Sequence, residues 1–394
     1  MDERNYWLGF SVFPGIGPKT LQLLLEQFGS AKAAFTASRN DLLNSELNEV
    51  LATNFDQFRN DFSPSDYARK LRENKVEFFT QQDEEYPDLL KAIKNPPIVL
   101  YVRGSFARGP VKSSFPASTP SKSHKSSDEV RAVGSLPAFA TPLNIAIVGT
   151  RKITQYGKEV TEMFARDLVA AGFTIVSGLA MGIDAVAHQT AIENNGKTIA
   201  VLGCGVDCCT PRENQYIYNS IVAGNGCVVS EFPLGQPPMK GSFPSRNRII
   251  AGLSLGVLVT EGAEDSGALI TADYAFKNNR KVFAVPGPIT SNLSKGPYQL
   301  IQKGAKLVTK AQDILAEFKV QNATLKTTAQ NSKLRDVTDE ERKILDILEN
   351  EQMHFDEIVR KTGSTSKKIG SILSMLEIKG KVRSSDGIFT LVLE

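Results

Sequence analysis

A chain of 394 residues is long enough for two or three folded domains, and its 41% hydrophobic and 23% charged residues exclude a wholly disordered, collagen-like or coiled-coil protein. The 46 Lys and Arg against 43 Asp and Glu leave a net charge of +3, which excludes a histone-like nucleic-acid binder but not a local basic surface. Because the chain has four Cys, no apolar leader and no run of ~20 apolar residues, we expect a soluble, cytoplasmic protein without a disulfide scaffold.

Residues 1–104 show helical patterning and are predicted to form a helical N-terminal domain of the helix-hairpin-helix or SAM-like type. Within them, Phe13–Leu21 contains a Gly-x-Gly turn followed by Lys19. Such a turn can point backbone N–H groups at a DNA phosphate, and a tight turn with only a structural role is an equal alternative. The region ends in Pro97–Gly104, which predicts a strand after a proline break.

Residues 105–143 differ in kind from the segments around them. They hold nine Ser, five Pro and five Lys or Arg, with few large apolar residues. A segment of this composition cannot bury enough surface to offset its ordering entropy, so we predict a disordered insertion. A plain linker is the favoured interpretation, and a basic tether for nucleic acid is the alternative.

Short apolar runs alternate with helical patterns between residues 144 and 318. The runs are Ile145–Val148, Thr174–Val176, Thr198–Leu202, Cys227–Ser230, Gly256–Thr260, Lys281–Val285 and Ala305–Val308. This alternation predicts an α/β fold with a doubly wound, Rossmann-like parallel sheet as its core. In such a sheet the ligand crevice lies at the carboxyl ends of the strands.

Small and polar residues follow several of these predicted strands. Glycines at strand ends let backbone N–H groups approach a ligand closely, and the following helix N-termini favour anions. Several such turns on one side of a sheet indicate a phosphate-rich ligand. The candidate binding residues in these turns are Gly149, Thr150, Arg151, Ser177, Gly178, Gly203, Gly205, Ser266 and Gly267.

A cationic segment lies between the fourth and fifth predicted strands. Its candidate nucleic-acid-binding residues are Lys240, Phe243, Arg246, Asn247 and Arg248. Cations suit the phosphates of a nucleic acid, and an aromatic ring suits an exposed base. The alternative is a helix N-terminus with solvated charges and a core Phe.

Catalytic and metal motifs fail on spacing or context. Gly252–Gly256 matches G-x-S-x-G, but here the helix precedes and the strand follows, the reverse of a nucleophile elbow. The four Cys, between Cys204 and Cys227, match no zinc spacing and are predicted to be buried thiols. His188 is predicted to make a structural hydrogen bond, with a ligand contact as the alternative. We therefore predict no catalytic residue, no cofactor and no metal.

After a polar linker at 319–333, residues 334–394 show three helix patterns and a hairpin turn at Ser384–Gly387. This combination predicts a winged helix domain. The stretch Lys367–Arg383 carries five cations against one acid. A basic third helix and wing suit a DNA duplex, whereas the net acidity of the domain slightly favours a protein partner.

Five motifs give the central region a resemblance to a known family. They are Ile145–Arg151 (IAIVGTR), Ser177–Asp184 (SGLAMGID), Phe243–Gly252 (FPSRNRIIAG), Ser266–Ala272 (SGALITA) and Val285–Gly287 (VPG). In their order and spacing the chain resembles the DNA-processing protein A family. The flanking regions fit as well, while the insertion at 105–143 departs from the family's usual short connection.

The resemblance implies a recombination mediator rather than an enzyme. Members bind and protect single-stranded DNA, displace single-strand-binding protein and load the RecA recombinase during natural transformation, as homodimers or larger assemblies. By motif, the resemblance implies a strand-binding pocket that uses Arg151, Gly203 or Gly205, Lys240 and Phe243. Arg246 and Arg248 are either phosphate contacts or structural supports for these loops.

The competing interpretation is an enzyme. The same fold resembles the lysine-decarboxylase-like family, whose members hydrolyse nucleoside monophosphates with paired acids. Ile270 and Thr271 stand where those acids would be, which leaves no evident acid or base for the reaction. A third interpretation is a structural adaptor that acts through its winged domain.

Overall fold

The computed structural model describes residues 2–45, 47–106, 143–318, 338–348, 351–385 and 387–391. The chain divides into two compact units, Met1–Gln321 and Asn322–Glu394. The predicted insertion at 105–143 and the linker at 319–333 lie almost entirely outside the described residues, as does Asp386 in the predicted hairpin turn. Within the described part of the chain, no helix has both the length and the apolar character needed to cross a membrane.

Six helices open the first unit. They are α1 (Glu3–Val12), α2 (Pro18–Phe28), α3 (Ala31–Thr36), α4 (Arg39–Leu43), α5 (Glu49–Asp61) and α6 (Pro64–Glu73). Asp2 caps α1 through its side chain, and α2 starts at Pro18, which fits the first helical position because it needs no N–H partner. The predicted Gly-x-Gly turn therefore lies between two helices, as the sequence indicates.

Aromatic packing holds these helices together. The rings of Phe10 and Phe55 stack at 5.2 Å between centroids, and Phe35 meets Phe55 edge-on at 5.5 Å. All three side chains are buried, and such aromatic pairs add about 0.5–1.5 kcal/mol each beyond their area burial.

Two strands link the helical region to the central sheet. β1 (Val76–Thr80) pairs antiparallel with β2 (Val99–Phe106), and the short helix α7 (Asp88–Lys91) lies between them. β2 continues antiparallel along β6 (Asn225–Ser230), from Tyr101 opposite Ser230 to Phe106 opposite Asn225. The predicted strand at 97–104 is present, and its pairing makes residues 1–106 part of the same compact unit as the central region.

The remaining strands and helices of the first unit alternate. They are β3 (Asn144–Val148), α8 (Gln155–Ala170), β4 (Thr174–Ser177), α9 (Ile183–Glu193), β5 (Thr198–Val201), α10 (Gln215–Val222), β6, α11 (Ser242–Gly252), β7 (Gly256–Val259), α12 (Gly267–Lys277), β8 (Lys281–Ala284), α13 (Lys295–Gln302), β9 (Lys306–Leu307) and α14 (Ala311–Glu317). The nine strands run in the order β1-β2-β6-β5-β4-β3-β7-β8-β9.

The seven strands from β3 to β9 are parallel. Every residue of β3, β4, β5 and β7 is buried, as expected for strands covered by helices on both faces. The doubly wound, Rossmann-like core is thus confirmed. Strand order reverses between β3 and β7, and such a switch point opens a crevice at the carboxyl ends of the strands.

The second unit is a small winged helix. Its elements are α15 (Asp339–Leu348), β10 (Met353–His354), α16 (Phe355–Thr362), α17 (Ser366–Ile378), β11 (Val382–Ser385) and β12 (Ile388–Leu391), with sheet order β10-β12-β11. Its core is formed by buried residues that include Ile344, Ile358, Ile369 and Leu373. Three helices and a β-hairpin confirm the predicted winged domain.

Candidate nucleic-acid interface

A cleft of about 590 Å³ opens at the switch point between β3 and β7. Its walls come from the loops after these strands and from the first turns of α11 and α12. This volume lies within the range of pockets that enclose small organic ligands. The predicted binding residues that line it are Gly149, Thr150, Arg151, Lys240, Phe243, Arg246, Asn247, Ser266 and Gly267. Ser177, Gly178, Gly203, Gly205 and Arg248 do not line it.

Arg151 and Phe243 meet across the cleft. The guanidinium carbon of Arg151 lies 5.7 Å from the centroid of the Phe243 ring, which is within cation–π range. Arg151 and Lys240 are both exposed, and neither makes an ion pair within the described ranges. The cleft thus combines an aromatic ring with two cations whose charges are available to an anionic ligand.

Ser242 fixes the start of α11, where Phe243 stands. Its buried hydroxyl donates to the carbonyl of Gly203 at 2.5 Å and accepts from the N–H of Met239 at 3.2 Å. A Cβ on Gly203 would lie 3.2 Å from the Phe243 ring and from the Ser242 hydroxyl. The missing side chain of Gly203 therefore leaves room for the Phe243 ring, and Gly203 itself does not line the cleft. Ser242 is not among the predicted site residues. Its position at the start of a helix, directly before Phe243, could have indicated a role in placing that ring.

Arg246 points inward from α11. Its side chain is buried, and Nη1 donates to the carbonyl of Gly178 at 2.6 Å and to the carbonyl of Val201. A Cβ on Gly178 would lie 2.2 Å from that nitrogen, so the glycine makes room for the guanidinium. Burial lowers the pKa of Arg246, while the carboxylate of Asp184 opposes this shift. These contacts support the structural alternative for Arg246, which ties β4, β5 and α11 together.

The Asp184 carboxylate stabilises the loop after β4 through hydrogen bonds to its backbone. Its carboxylate accepts from the N–H groups of Gly178 at 3.0 Å and Ala180 at 3.4 Å. Burial raises the pKa of Asp184, and the Arg246 guanidinium acts against that rise. The Ser177 hydroxyl is also turned inward, donating to the carbonyl of Ile147 at 2.7 Å. The polar groups at this strand end are therefore used for internal support.

Arg248 and Gly205 are likewise engaged away from the cleft. Arg248 forms an ion pair with Glu231, and the two side chains are only 12% and 15% exposed. The N–H of Gly205 donates to the carbonyl of Gln236 at 3.0 Å, and a Cβ there would lie 2.5 Å from a carboxylate oxygen of Asp207. Both positions shape the loops that border α11.

The opposite wall of the cleft is the N-terminus of α12. Ser266 caps this helix by accepting from the N–H of Ala268 at 3.3 Å. The Asn247 side-chain amide donates to the carbonyl of Gly267 at 3.2 Å and links α11 to α12. Asp265, which the sequence reasoning did not select, also lines the cleft.

Comparison with known proteins identifies the family of this chain. Residues 130–319 match the family model described as DNA recombination-mediator protein A, and residues 328–387 match the DprA winged helix domain. Protein Smf of Synechocystis sp. is 37% identical over 317 residues, which cover 80% of this chain and 73% of Smf. The chain belongs to the DNA recombination-mediator protein A family. Membership identifies a DNA-binding protein that processes DNA in recombination.

Two solved structures of DNA processing protein A match this chain over most of their own length. DNA processing protein A from Streptococcus pneumoniae superposes with a TM-score of 0.63 at 32% identity, covering 79% of this chain and 97% of that one. DNA processing protein A from Helicobacter pylori, studied for its single-stranded DNA binding mode, has a TM-score of 0.49 at 29% identity and covers 62% and 96% of the two chains.

In this member of the recombination-mediator family, a second buried acid supports the loop that carries Arg151. The Glu261 carboxylate accepts from the Thr154 hydroxyl at 2.6 Å and from the Thr154 N–H at 3.1 Å. The Glu261 carbonyl accepts from the N–H of Thr150 at 2.8 Å. A Cβ on Gly157 would lie 2.0 Å from the same carboxylate. The loop after β3 is thereby fixed to the loop after β7.

The remaining titratable candidates are structural. His188 is fully buried, its Nδ1 lies 2.6 Å from the Thr198 hydroxyl, and burial lowers its pKa to about 3. The predicted structural hydrogen bond is thus confirmed. Cys204 and Cys227 are buried, Cys208 and Cys209 are partly exposed, and all four thiols are free. No cluster of metal-ligating side chains is found among the residues for which coordinates are described.

Proposed function

We propose that the cleft binds single-stranded DNA. The observation that carries this proposal is that Arg151, an exposed cation, lies over the ring of Phe243 in a cleft that a second exposed cation, Lys240, also lines. Phosphates bind cations and helix N-termini, and an unpaired base stacks on an aromatic face. A single strand presents both groups at once, whereas a duplex hides the faces of its bases in the stack.

We propose further that the protein protects the incoming strand during natural transformation and loads RecA recombinase onto it, displacing single-strand-binding protein. The family's description as a recombination mediator supports this role. The protein would act in the cytoplasm as a homodimer or larger assembly. Its partners would be RecA, single-strand-binding protein and a second copy of the chain.

The arrangement supports binding rather than nucleotide hydrolysis. Ile270 and Thr271 line the cleft at the positions where the lysine-decarboxylase-like hydrolases place their acids. The Asp184 carboxylate also lines it, but its oxygen is engaged by two backbone N–H groups and its charge lies beside Arg246. A general acid or base must be free to exchange a proton with the substrate, and of the two cleft carboxylates only the exposed Asp265 meets that condition. Asp265 stands without the second acid that those hydrolases use, because Ile270 and Thr271 occupy those positions.

Fluorescence anisotropy with the full-length protein tests the proposal. Labelled single-stranded and duplex oligonucleotides of one length are titrated at several salt concentrations. We expect tighter binding of the single strand, with an affinity that falls steeply as salt rises because phosphate contacts release counterions. A parallel assay for hydrolysis of nucleoside monophosphates should show no turnover.

Lys240→Ala and Lys94→Ala form the matched pair for this assay. Both lysines are exposed, but Lys94 follows Ile93, which packs near Gly252 at the far end of α11. Lys240→Ala should weaken binding and reduce the salt slope by about one ion, whereas Lys94→Ala should leave both unchanged. Equal loss in the two variants, or preferred binding of duplex that still requires Lys240, would refute the proposed single-strand site.

A further inference from the structure

An exposed acid lines the same cleft as the exposed cations Arg151 and Lys240. Asp265 is exposed and lines the cleft beside Ser266 and Gly267. Its neighbour Glu264 lies 3.7 Å from Lys295, whereas Asp265 makes no ion pair in the described portion of the chain. A carboxylate repels phosphate, so its place in the cleft needs a role other than holding the DNA backbone.

The two ends of the cleft differ in chemistry. Arg151 lies against the Phe243 ring, with Lys240 three residues before that ring in the chain. One helical turn after Phe243 comes Asn247, since residues four apart on a helix share a face. Asn247 donates one of its two side-chain N–H groups to the carbonyl of Gly267, which leaves its side-chain oxygen as an acceptor and its second N–H as a donor.

The discriminating group at the α12 end of the cleft is therefore the Asp265 carboxylate, which can only accept, whereas the Asn247 amide can both donate and accept. The Asn247 amide oxygen and the Asp265 carboxylate, two residues before Gly267, border the same cavity as the ring. A base stacked on Phe243 would share this cleft with Asp265 and Asn247, so that one of its edges could meet their polar groups.

We propose that Asn247 and Asp265 read the edge of the bound base, so that the cleft prefers bases with an exocyclic amino group to thymine. This inference rests on the proposed single-strand binding. Cytosine offers an N4 amino donor at the position where thymine has the O4 acceptor. A carboxylate accepts a strong hydrogen bond from the amino group and repels the carbonyl oxygen.

Competition between homopolymers of one length tests this preference. The full-length protein is bound to a labelled strand of mixed sequence and displaced with oligo-dC or oligo-dT, two pyrimidine polymers that differ at the base edge. We expect oligo-dC to compete about fivefold better, which corresponds to about 1 kcal/mol, the net contribution of one hydrogen bond.

Asp265→Asn is the decisive variant, and Glu264→Gln is its control. An amide both donates and accepts, so Asp265→Asn should bring the two polymers to within about twofold of each other, mainly by tightening oligo-dT. Glu264→Gln should retain the preference for oligo-dC. Equal competition by the two polymers in the parent protein, or a preference that Asp265→Asn leaves intact, would overturn the inference.

The same experiment separates this inference from the proposed function. If both polymers compete equally and binding still depends on Lys240, single-strand binding stands and base-edge reading fails. If the labelled strand does not bind, or if its binding does not depend on Lys240, both proposals fail.

Discussion

Arg151 and Arg246 show how differently one residue type is used at the cleft. Arg151 is exposed and lies over the Phe243 ring, whereas Arg246 is 4% exposed and donates to the carbonyls of two strand-end loops. Both arginines lie in the motifs from which the candidate binding residues were predicted. The sequence alone allows either of them to bind a phosphate. Only the first has its charge at the surface, which is where an anion can be bound without a large desolvation cost.

Substitution of these two arginines should separate binding from folding. Arg246→Met leaves Asp184 buried without its countercharge and should lower the free energy of unfolding by about 3–5 kcal/mol. Arg151→Ala should leave that free energy within about 0.5 kcal/mol and weaken single-strand binding roughly tenfold, since it removes one charged contact. Urea denaturation and anisotropy titration measure the two quantities. Unchanged stability of Arg246→Met would show that the buried guanidinium does not support the loops.

His188 should make the protein sensitive to mild acid. Its folded-state pKa is lowered from 6.5 to about 3, so the folded protein keeps the ring neutral while the unfolded chain takes up a proton below pH 6.5. Stability is therefore present above pH 6.5 and is lost as pH falls, by about 2 kcal/mol at pH 5. Because the raised pKa of Asp184 acts in the opposite direction, the informative comparison is with a variant.

His188→Gln should lose less stability than the parent protein between pH 7 and pH 5. Urea denaturation at the two pH values gives this difference for each protein, which removes any constant cost of the substitution. An identical loss in parent and variant would mean that other groups determine the acid sensitivity.

At the scale of elements, the strands and helices of the core can be predicted from the local pattern of apolar and polar residues. Fully apolar runs separated by helical spacing can form only a covered parallel sheet, and each predicted strand is present. The pairing of β2 with β6 could not be predicted, because it joins segments more than 100 residues apart and no local signal specifies an edge partner. The charge pattern of the sequence also could not show that Arg246 and Arg248 are engaged inside the protein while Lys240 is exposed. Burial of a side chain depends on what packs around it in the folded chain.

Gly157 in α8 offers a test of the contact between the β3 and β7 loops. A Cβ at this position would lie 2.0 Å from a carboxylate oxygen of Glu261, whereas a Cβ on Gly241 meets nothing within 4 Å. Gly157→Ala should therefore cost about 1–3 kcal/mol of stability, as overpacking does in a well-packed site. Gly241→Ala should be neutral or slightly stabilising, because its backbone is already helical. Chemical denaturation of both variants checks this, and equal stability would exclude a close contact between Gly157 and Glu261.

At the scale of the molecule, the chain consists of two compact units rather than a string of independent regions. The first unit includes β1 and β2, so the helical N-terminal region and the α/β core share one sheet. The winged unit has a hydrophobic core of its own. The boundaries of the compact units therefore match the extent of the nine-stranded sheet, and they do not match the changes in composition along the chain.

Truncation should reveal this organisation. A fragment of residues 1–321 should unfold cooperatively and bind single-stranded DNA through the cleft. A fragment of residues 144–321 lacks β2, which leaves six residues of β6 as an open edge, and we expect it to be much less stable and prone to aggregate. Circular dichroism with urea and size-exclusion chromatography measure the outcome. A soluble, cooperatively folded 144–321 fragment would show that the antiparallel edge is dispensable.

The direction of β2 has a practical consequence. Because β2 runs antiparallel to β6, it ends opposite Asn225, where β6 begins, and β3 begins at Asn144 on the same edge of the sheet. The chain that joins them is thus attached at the amino edge, while the cleft opens at the carboxyl edge. A dye, affinity tag or small reporter domain inserted into that joining chain would have both of its attachment points, Phe106 and Leu143, at the edge of the sheet opposite the cleft. Surface-immobilised protein prepared in this way should keep its cleft accessible for single-molecule measurements.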